Sequence, residues 1–286
     1  MPDSRSSACR PAEQWGAPAP GAGRLVAERV DGATAIVECL SSSPLRLFTP
    51  RPRGAAAWVI AASHGGGLVA GDFVDLSIEL GAGATVLLGT QAETKVYRGG
   101  APARQWTRAR VADGALLALL PDPVSPYAGA RLAQVQRIDL APAGSVLLLD
   151  ALTAGRVARG ERWAFLDHQS RIEATVAGAL VLADGLRLVS GEGPPLAERL
   201  AGFELLATAV LLGPRLAPFG SALLEAVGRA PAEGGAAVLS AASPLPGGGA
   251  LLRVAARSVE AGMLAIRAHL RFAAELLGDD PFDRRP

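Results

Sequence analysis

Cysteine is nearly absent from this chain of 286 residues: only Cys9 and Cys39 occur. Two thiols build neither a disulfide framework nor a Cys-x-x-Cys site, and they suit a reducing compartment. Aromatic residues are also scarce, at 5%. No stretch approaches the ~20 apolar residues that span a bilayer; the longest candidate, 203–212, is interrupted by Glu204. Residues 1–23 are rich in Ser, Pro, Ala and Gly and hold no apolar run suited to a signal-peptide core. The expectation is a cytoplasmic protein with no membrane segment. An excess of either charge is missing too: Lys+Arg 28 against Asp+Glu 27 gives a net charge of +1. That balance offers no bulk electrostatic case for nucleic acid.

Several reactive signatures are likewise missing. There is no Gly-x-x-x-x-Gly-Lys-Ser/Thr phosphate loop, no Gly-x-Ser-x-Gly nucleophile elbow and no His-Glu-x-x-His. The three histidines, His64, His168 and His269, stand apart in sequence. Each reads as structural or solvated, with His64 the best placed for a ligand because glycines beside it permit close approach. Asp167-His168 near Ser170 does not read as a triad, because neighbouring side chains on a strand face opposite ways.

What is present is a globular composition, 50% hydrophobic and 19% charged, with Gly 34 and Pro 21. The glycine and proline content predicts many turns. Period-two alternation predicts a strand over 73–80, with Val74, Leu76, Ile78 and Leu80 on one face and Asp75, Ser77 and Glu79 on the other. Gly81-Ala82-Gly83-Ala84 reads as a turn and 85–88 as a returning strand. Further strands are expected over 104–111, 115–120, 145–149 and 171–176, with hairpin turns at Asp113-Gly114 and Asp184-Gly185. The spacing predicts an all-β body rather than βαβ units. We find no internal repeat of 20–50 residues. Toward the C-terminus the pattern changes. Val259, Met263, Ile266, Leu270, Ala273 and Leu277 follow helical spacing, capped by Ser258 and stopped by Gly278. A second helix is expected over 219–227, and a Gly/Pro loop over 244–249. The stripe from Met263 to Leu277 reads as core packing ahead of docking. Arg284 and Arg285 read as a solvated tail.

Two polar segments invite chemistry. The run His64-Gly65-Gly66-Gly67-Leu68-Val69-Ala70-Gly71-Asp72 is glycine-rich, but a strand follows it and not the helix a nucleotide loop needs. The block Thr90-Gln91-Ala92-Glu93-Thr94-Lys95-Val96-Tyr97-Arg98 closes an apolar strand. It reads either as surface loop or as the lining of a polar cavity.

These segments, in this order and spacing, resemble the UreD (UreH) urease accessory protein family. Its pattern is Gly-Gly-Leu-Val-x-Gly-Asp, a turn, then Thr-x-Ala-x-Thr-Lys-x-Tyr-Arg. Pro44-Leu45-Arg46, Leu120-Pro121, Tyr127-Ala128-Gly129-Ala130, Gly155-Arg156 and Gly160-Glu161 extend the likeness across about 44–190. Departures are Ala70 and Glu93, and Pro123 where the family usually has a Glu, with Asp122 just before it.

The resemblance implies a mainly β fold: a stacked, β-helix-like strand-rich body with α-helices toward the C-terminus. In domain terms it implies a flexible lead, 1–23, and one UreD-like domain over 24–286, β-rich over 24–212 and helical over 213–278. It implies a non-enzymatic scaffold, or chaperone, for inserting nickel into apo-urease, whose nickel centre includes a carbamylated lysine. The implied partners are apo-urease, the helical accessory protein UreF and, through it, the GTPase UreG. A polar passage for nickel is implied as well, with no tightly bound cofactor and only transient Ni²⁺. Residues placed at partner or passage surfaces by the matched motifs are His64, Gly66, Gly67, Gly71, Asp72, Thr90, Gln91, Glu93, Thr94, Lys95, Tyr97, Arg98, Asp122, Gly155, Arg156, Gly160 and Glu161. Asp72, Glu93 and Glu161 are expected to face the passage as transient ligands, since a closed ligand set would retain the ion. The residues alone also allow a β-rich small-molecule enzyme that uses 65–71 as an anion nest.

Overall fold

Alternation does build strands here, and the strands are sorted between two sheets by what covers their outer faces. The computed structural model describes residues 19–283 apart from 53, 231, 232 and 234. Most of the expected lead, with Cys9, and the pair Arg284 and Arg285 lie outside the described residues. In chain order the strands are β1 (Ala22–Val30), β2 (Ala33–Ser41), β3 (Leu45–Phe48), β4 (Ala57–Ser63), β5 (Phe73–Leu80), β6 (Thr85–Thr90), β7 (Thr94–Val96), β8 (Ala103–Val111), β9 (Leu116–Leu119), β10 (Val124–Pro126), β11 (Arg131–Leu140), β12 (Ser145–Thr153), β13 (Asp167–Val176), β14 (Ala179–Val189), β15 (Leu205–Leu212), β16 (Val238–Leu245) and β17 (Gly249–Ala256). The helices are α1 (Leu196–Arg199), α2 (Ala217–Gly228), α3 (Val259–His269) and α4 (Ala273–Leu277). Among the described residues no helix is long and apolar enough to cross a membrane.

One sheet runs β14-β13-β11-β8-β5-β1-β2; the other runs β16-β17-β15-β12-β9-β6-β4-β3, with β10 and β7 beside β12. From β4 to β13 the chain winds between them. β5, β8, β11 and β13 stack in parallel in the first sheet, and β4, β6, β9 and β12 in the second. This is the expected stacked, β-helix-like body. It carries a repeat that the sequence reading missed. Phe73 lies beside Arg104, Val111 beside Leu140 and Leu140 beside Val176, so each coil takes roughly 30 residues, as in solenoids. The repeat is one of strand register and inward size, not of residue identity, and self-similarity cannot reveal it.

The expected hairpins at Gly81–84 and Asp113-Gly114 are corners where the chain crosses from one sheet to the other. Gly83 (φ +68°) and Gly114 (φ +70°) turn the chain, and the corners stack: Gly83 N–H donates to Asp113 O and Gly114 N–H to Ala143 O, both at 3.0 Å. The turn residues fix the reversal, whereas the doubly apolar strand that follows selects the second sheet. Asp184-Gly185 lies inside β14; the β13–β14 hairpin turns instead at Ala177 (φ +50°) and Gly178 (φ +80°).

Strands of the first sheet alternate because their outer face meets solvent. Those of the second read as continuous apolar runs because both faces are covered. Val86, Leu88, Leu117, Leu119, Val146 and Leu148 fill the core between the sheets. Leu87, Leu116, Leu120, Leu147 and Leu149 fill a second core under the C-terminal helices. Ile266, Leu270, Ala273 and Leu277 are fully buried there, so the helical stripe covers its own domain. Ser258 Oγ caps α3 by accepting from Ala261 N–H (3.1 Å), and Gly278 (φ +79°) ends α4. The expected single helix breaks after His269, and Phe272 at the break stacks on Phe219 of α2, with ring centroids 4.5 Å apart. Between α2 and α3 the β16–β17 hairpin occupies a stretch read from sequence only as a loop at 244–249.

Candidate functional site

The inward faces of three parallel strands change from polar to apolar along their length. On β8, Gln105 and Thr107 precede Ala109 and Val111. On β11, Gln134 and Gln136 precede Ile138 and Leu140. On β13, His168 and Ser170 precede Ile172 and Ala174. The register aligns them: Gln105 lies beside Gln134, and Gln134 beside Ser170. The result is a polar ladder across the coils, inside the sandwich, where Gln134, Gln136, Thr107, Ser170 and His168 are all buried.

Asp150 of β12 faces this ladder from the second sheet. Its carboxylate accepts from Ser170 Oγ (2.5 Å) and from Gln134 Nε2 (3.0 Å), which ties the two sheets together. Burial pushes the Asp150 carboxyl above its ordinary range; the two hydrogen bonds oppose the shift and the Asp184 charge adds to it. Asp150 is enclosed by protein yet forms part of a cavity wall, which is why some of its surface stays accessible. Three cavities adjoin along the ladder. One of about 150 Å³ is lined by Gly66, Thr90, Gln91, Glu93, Thr94, Lys95 and Gln105. A narrow one of about 50 Å³ shares Thr90, Thr94 and Gln105 with it and continues past Thr107, Asp122, Gln134 and Gln136 to Asp150. A wide one of about 440 Å³ begins at Asp150, His168 and Ser170.

His168 is 1% exposed, its Nδ1 has no hydrogen-bond partner, and burial lowers its pKa to about 4. The folded state therefore holds it neutral while the unfolded chain protonates it below pH 6.5. Its contribution to stability is intact above pH 6.5 and is lost as pH falls toward 4, by about 3 kcal/mol. His168→Leu should remove that part of the acid sensitivity. Urea titrations across this range check it; equal pH slopes for both proteins would refute the assignment.

Of the motif residues, Gly66, Thr90, Gln91, Glu93, Thr94, Lys95 and Asp122 come together at the cavities. The lining reading of the polar block therefore fits the structure. Asp122 Oδ2 accepts from Thr90 Oγ1 (2.9 Å), which in turn accepts from Asp122 N–H (2.7 Å). The Glu93 side chain stands at the entrance, where partial burial and then the Asp122 charge raise its pKa. Of the three carboxylates expected along a passage, only Glu93 lines these cavities. Asp72 accepts from Val69 N–H (2.8 Å) within the glycine loop. Glu161 pairs with Arg156 (2.5 Å) and accepts from Ala128 N–H (3.1 Å); Arg156 holds its pKa down.

The anion-nest reading of 65–71 meets an obstacle. Leu68 N–H already donates to Lys95 O, Val69 N–H donates to Asp72, and Asp72 puts negative charge where an anion would sit. His64 Nε2 accepts from Arg46 Nε (2.7 Å) at the surface. A second group forms away from the cavities. Tyr97 and Tyr127 meet edge to face at 5.3 Å, and Arg156 lies 4.1 Å over the Tyr127 ring. Arg98 bridges to Ala130, and Gly155 (φ +87°) and Gly160 (φ +76°) shape the turn that carries Arg156 and Glu161. Gly71 (φ +86°) turns the loop into β5.

The model of the family described as UreD urease accessory protein matches residues 19–285. The chain belongs to this family. A urease accessory protein UreD of Anaeromyxobacter sp. (strain Fw109-5) is 59% identical over 267 residues, which cover 93% of this chain and 90% of that one. One from Sorangium cellulosum (strain So ce56) is 48% identical, covering 93% and 84%. Urease accessory protein D of Oryza sativa subsp. japonica is 29% identical, covering 94% and 97%. The function is thus that of a urease accessory protein working with urease and other accessory factors. In this UreD-family chain the cavity-lining motif residues gather at the entrance and the start of the narrow cavity. Asp150 reads from sequence only as a scattered carboxylate and Ser170 only as part of the rejected triad; the alternation over 104–111 is the signal that could have placed Gln105 and Thr107 on the inward face.

Proposed function

We propose that this chain acts without turnover of its own, as a cytoplasmic scaffold in urease maturation. It docks apo-urease and, through the helical accessory protein UreF, the GTPase UreG, and its interior passes nickel. The polar ladder carries this reading. A strand-stacked core normally fills with apolar side chains; here hydroxyls, amides and Asp150 line adjoining cavities from the Glu93 entrance to the far side of the sandwich. Hydroxyl, amide and single carboxylate groups offer an ion incomplete sets, and the ion then keeps most of its water and moves on. Among the described residues no group of three or more His, Cys, Asp or Glu is placed to hold a metal ion.

Reconstitution tests the proposal: apo-urease, Ni²⁺, bicarbonate, GTP and the other accessory proteins, with and without this chain. Thr94→Leu fills the point where the two smaller cavities meet. Activation should slow at least about tenfold, a barrier increase of roughly 1.4 kcal/mol, while binding to the other accessory proteins persists. Full activation by the plugged variant would overturn the interior route.

A further inference from the structure

A wide cavity, about 440 Å³, opens where β14 forms the edge of one sheet and β16 and β17 end the other. Its floor is Asp150, His168 and Ser170, and its walls include Leu152, Leu206 and Val254. One ion pair crosses the mouth, from Arg253 of β17 to Asp184 of β14, and both residues line the space. The Arg253 side chain is 54% exposed and that of Asp184 16%, so the guanidinium lies outside and the carboxylate inside. Asp184 also acts electrostatically on Asp150. Two carboxylates from facing sheets thus look into one space, with a single guanidinium closing it. His168, almost wholly buried on the same floor, has an unpartnered ring nitrogen.

We propose that Arg253 is a resident counter-cation that latches this mouth, and that a divalent cation in the cavity displaces it from Asp184 and sits, hydrated, between Asp184 and Asp150 beside His168. The proposal rests on the cation-transit reading above and adds a gate to it. A dication between two carboxylates in a low-dielectric space gains more than a singly charged guanidinium does. Release of Arg253 costs little, because half of its side chain already meets water. Among the described residues no three such groups are close enough to hold a metal ion jointly, so the two carboxylates act through the ion's water shell, the ion leaves and the latch closes again.

Paramagnetic Ni²⁺ alone, titrated into the full chain, tests this through the imidazole NMR signals of the three histidines, His64, His168 and His269. Arg253→Gln should broaden His168 at an Ni²⁺ concentration about threefold or more below that for the unmodified chain. Asp184→Asn should shift it to higher concentration, and the double variant should lose the gain. Asp184→Asn alone keeps the test decisive if Arg253→Gln folds poorly. An unchanged His168 midpoint in both single variants, or equal shifts at all three histidines, would overturn the latch. Failure of the through-route shows separately: Thr94→Leu would then activate urease fully while Arg253→Gln still shifted His168.

Discussion

Gly67→Leu is expected to abolish urease activation and to destabilise the fold by about 3 kcal/mol or more. A Cβ at this position would stand 2.5 Å from Lys95 O and 2.8 Å from the Tyr97 ring. Neither neighbour can yield cheaply. Lys95 O accepts from Leu68 N–H (2.8 Å), and Leu68 O accepts from Tyr97 N–H (2.9 Å). Moving the loop outward breaks both bonds and lifts Leu68, which is 2% exposed, from the core. It also separates Gly66 from Lys95 across the entrance cavity and disturbs Tyr97 against Tyr127. Gly100→Ala is the matched control: a Cβ there meets nothing within 4 Å. Urea unfolding and the activation assay check both. Unaltered stability of Gly67→Leu would show that the loop is not clamped against β7.

The fold was legible where one residue type answers one environment. Val74 to Leu80 alternates because one face is wet, and the leucine-rich runs of the second sheet are continuous because both faces are dry. Connectivity was not legible, because Asp113-Gly114 reverses a chain equally well into a hairpin or into a neighbouring sheet. Only the pairing of β9 with β6 and β12 decides between them. The site was half legible. Thr90 to Lys95 form one dense polar block, so a cavity lining was visible locally. Asp150 ends a run of valine and leucine, and its meaning appears only when register brings Ser170 and Gln134 from two other coils to its oxygens. Arg156 and Glu161 pair across a short turn and drew notice through motif likeness, but their contacts belong to the Tyr127 surface and not to the interior.

Asp150→Asn should separate stability from function, because the hydrogen bonds that tie the sheets need no charge and the proposed route does. Its folded-state pKa lies above the ordinary value, so the folded chain binds this proton more readily than the unfolded chain does. Stability from this group is therefore greatest in acid and falls as pH rises through the folded pKa. Burial penalises the ionised carboxyl, so an uncharged isostere should leave the protein at neutral pH as stable or about 1 kcal/mol more so. The hydrogen bonds survive the change. Ser170 Oγ still donates to the asparagine carbonyl, and Gln134 Oε1, buried without a partner in the native chain, can turn to accept from the new amide. What disappears is negative charge at the junction between the narrow cavity and the wide one, which the proposed route has a dication cross. Activation should fall at least about tenfold while the melting temperature at neutral pH holds or rises, and the stability gap to the native chain should narrow in acid. A simple folding defect gives the opposite pairing, lower stability with lower activity. Full activation by Asp150→Asn would remove the carboxylate from the route and leave it as a tie between sheets.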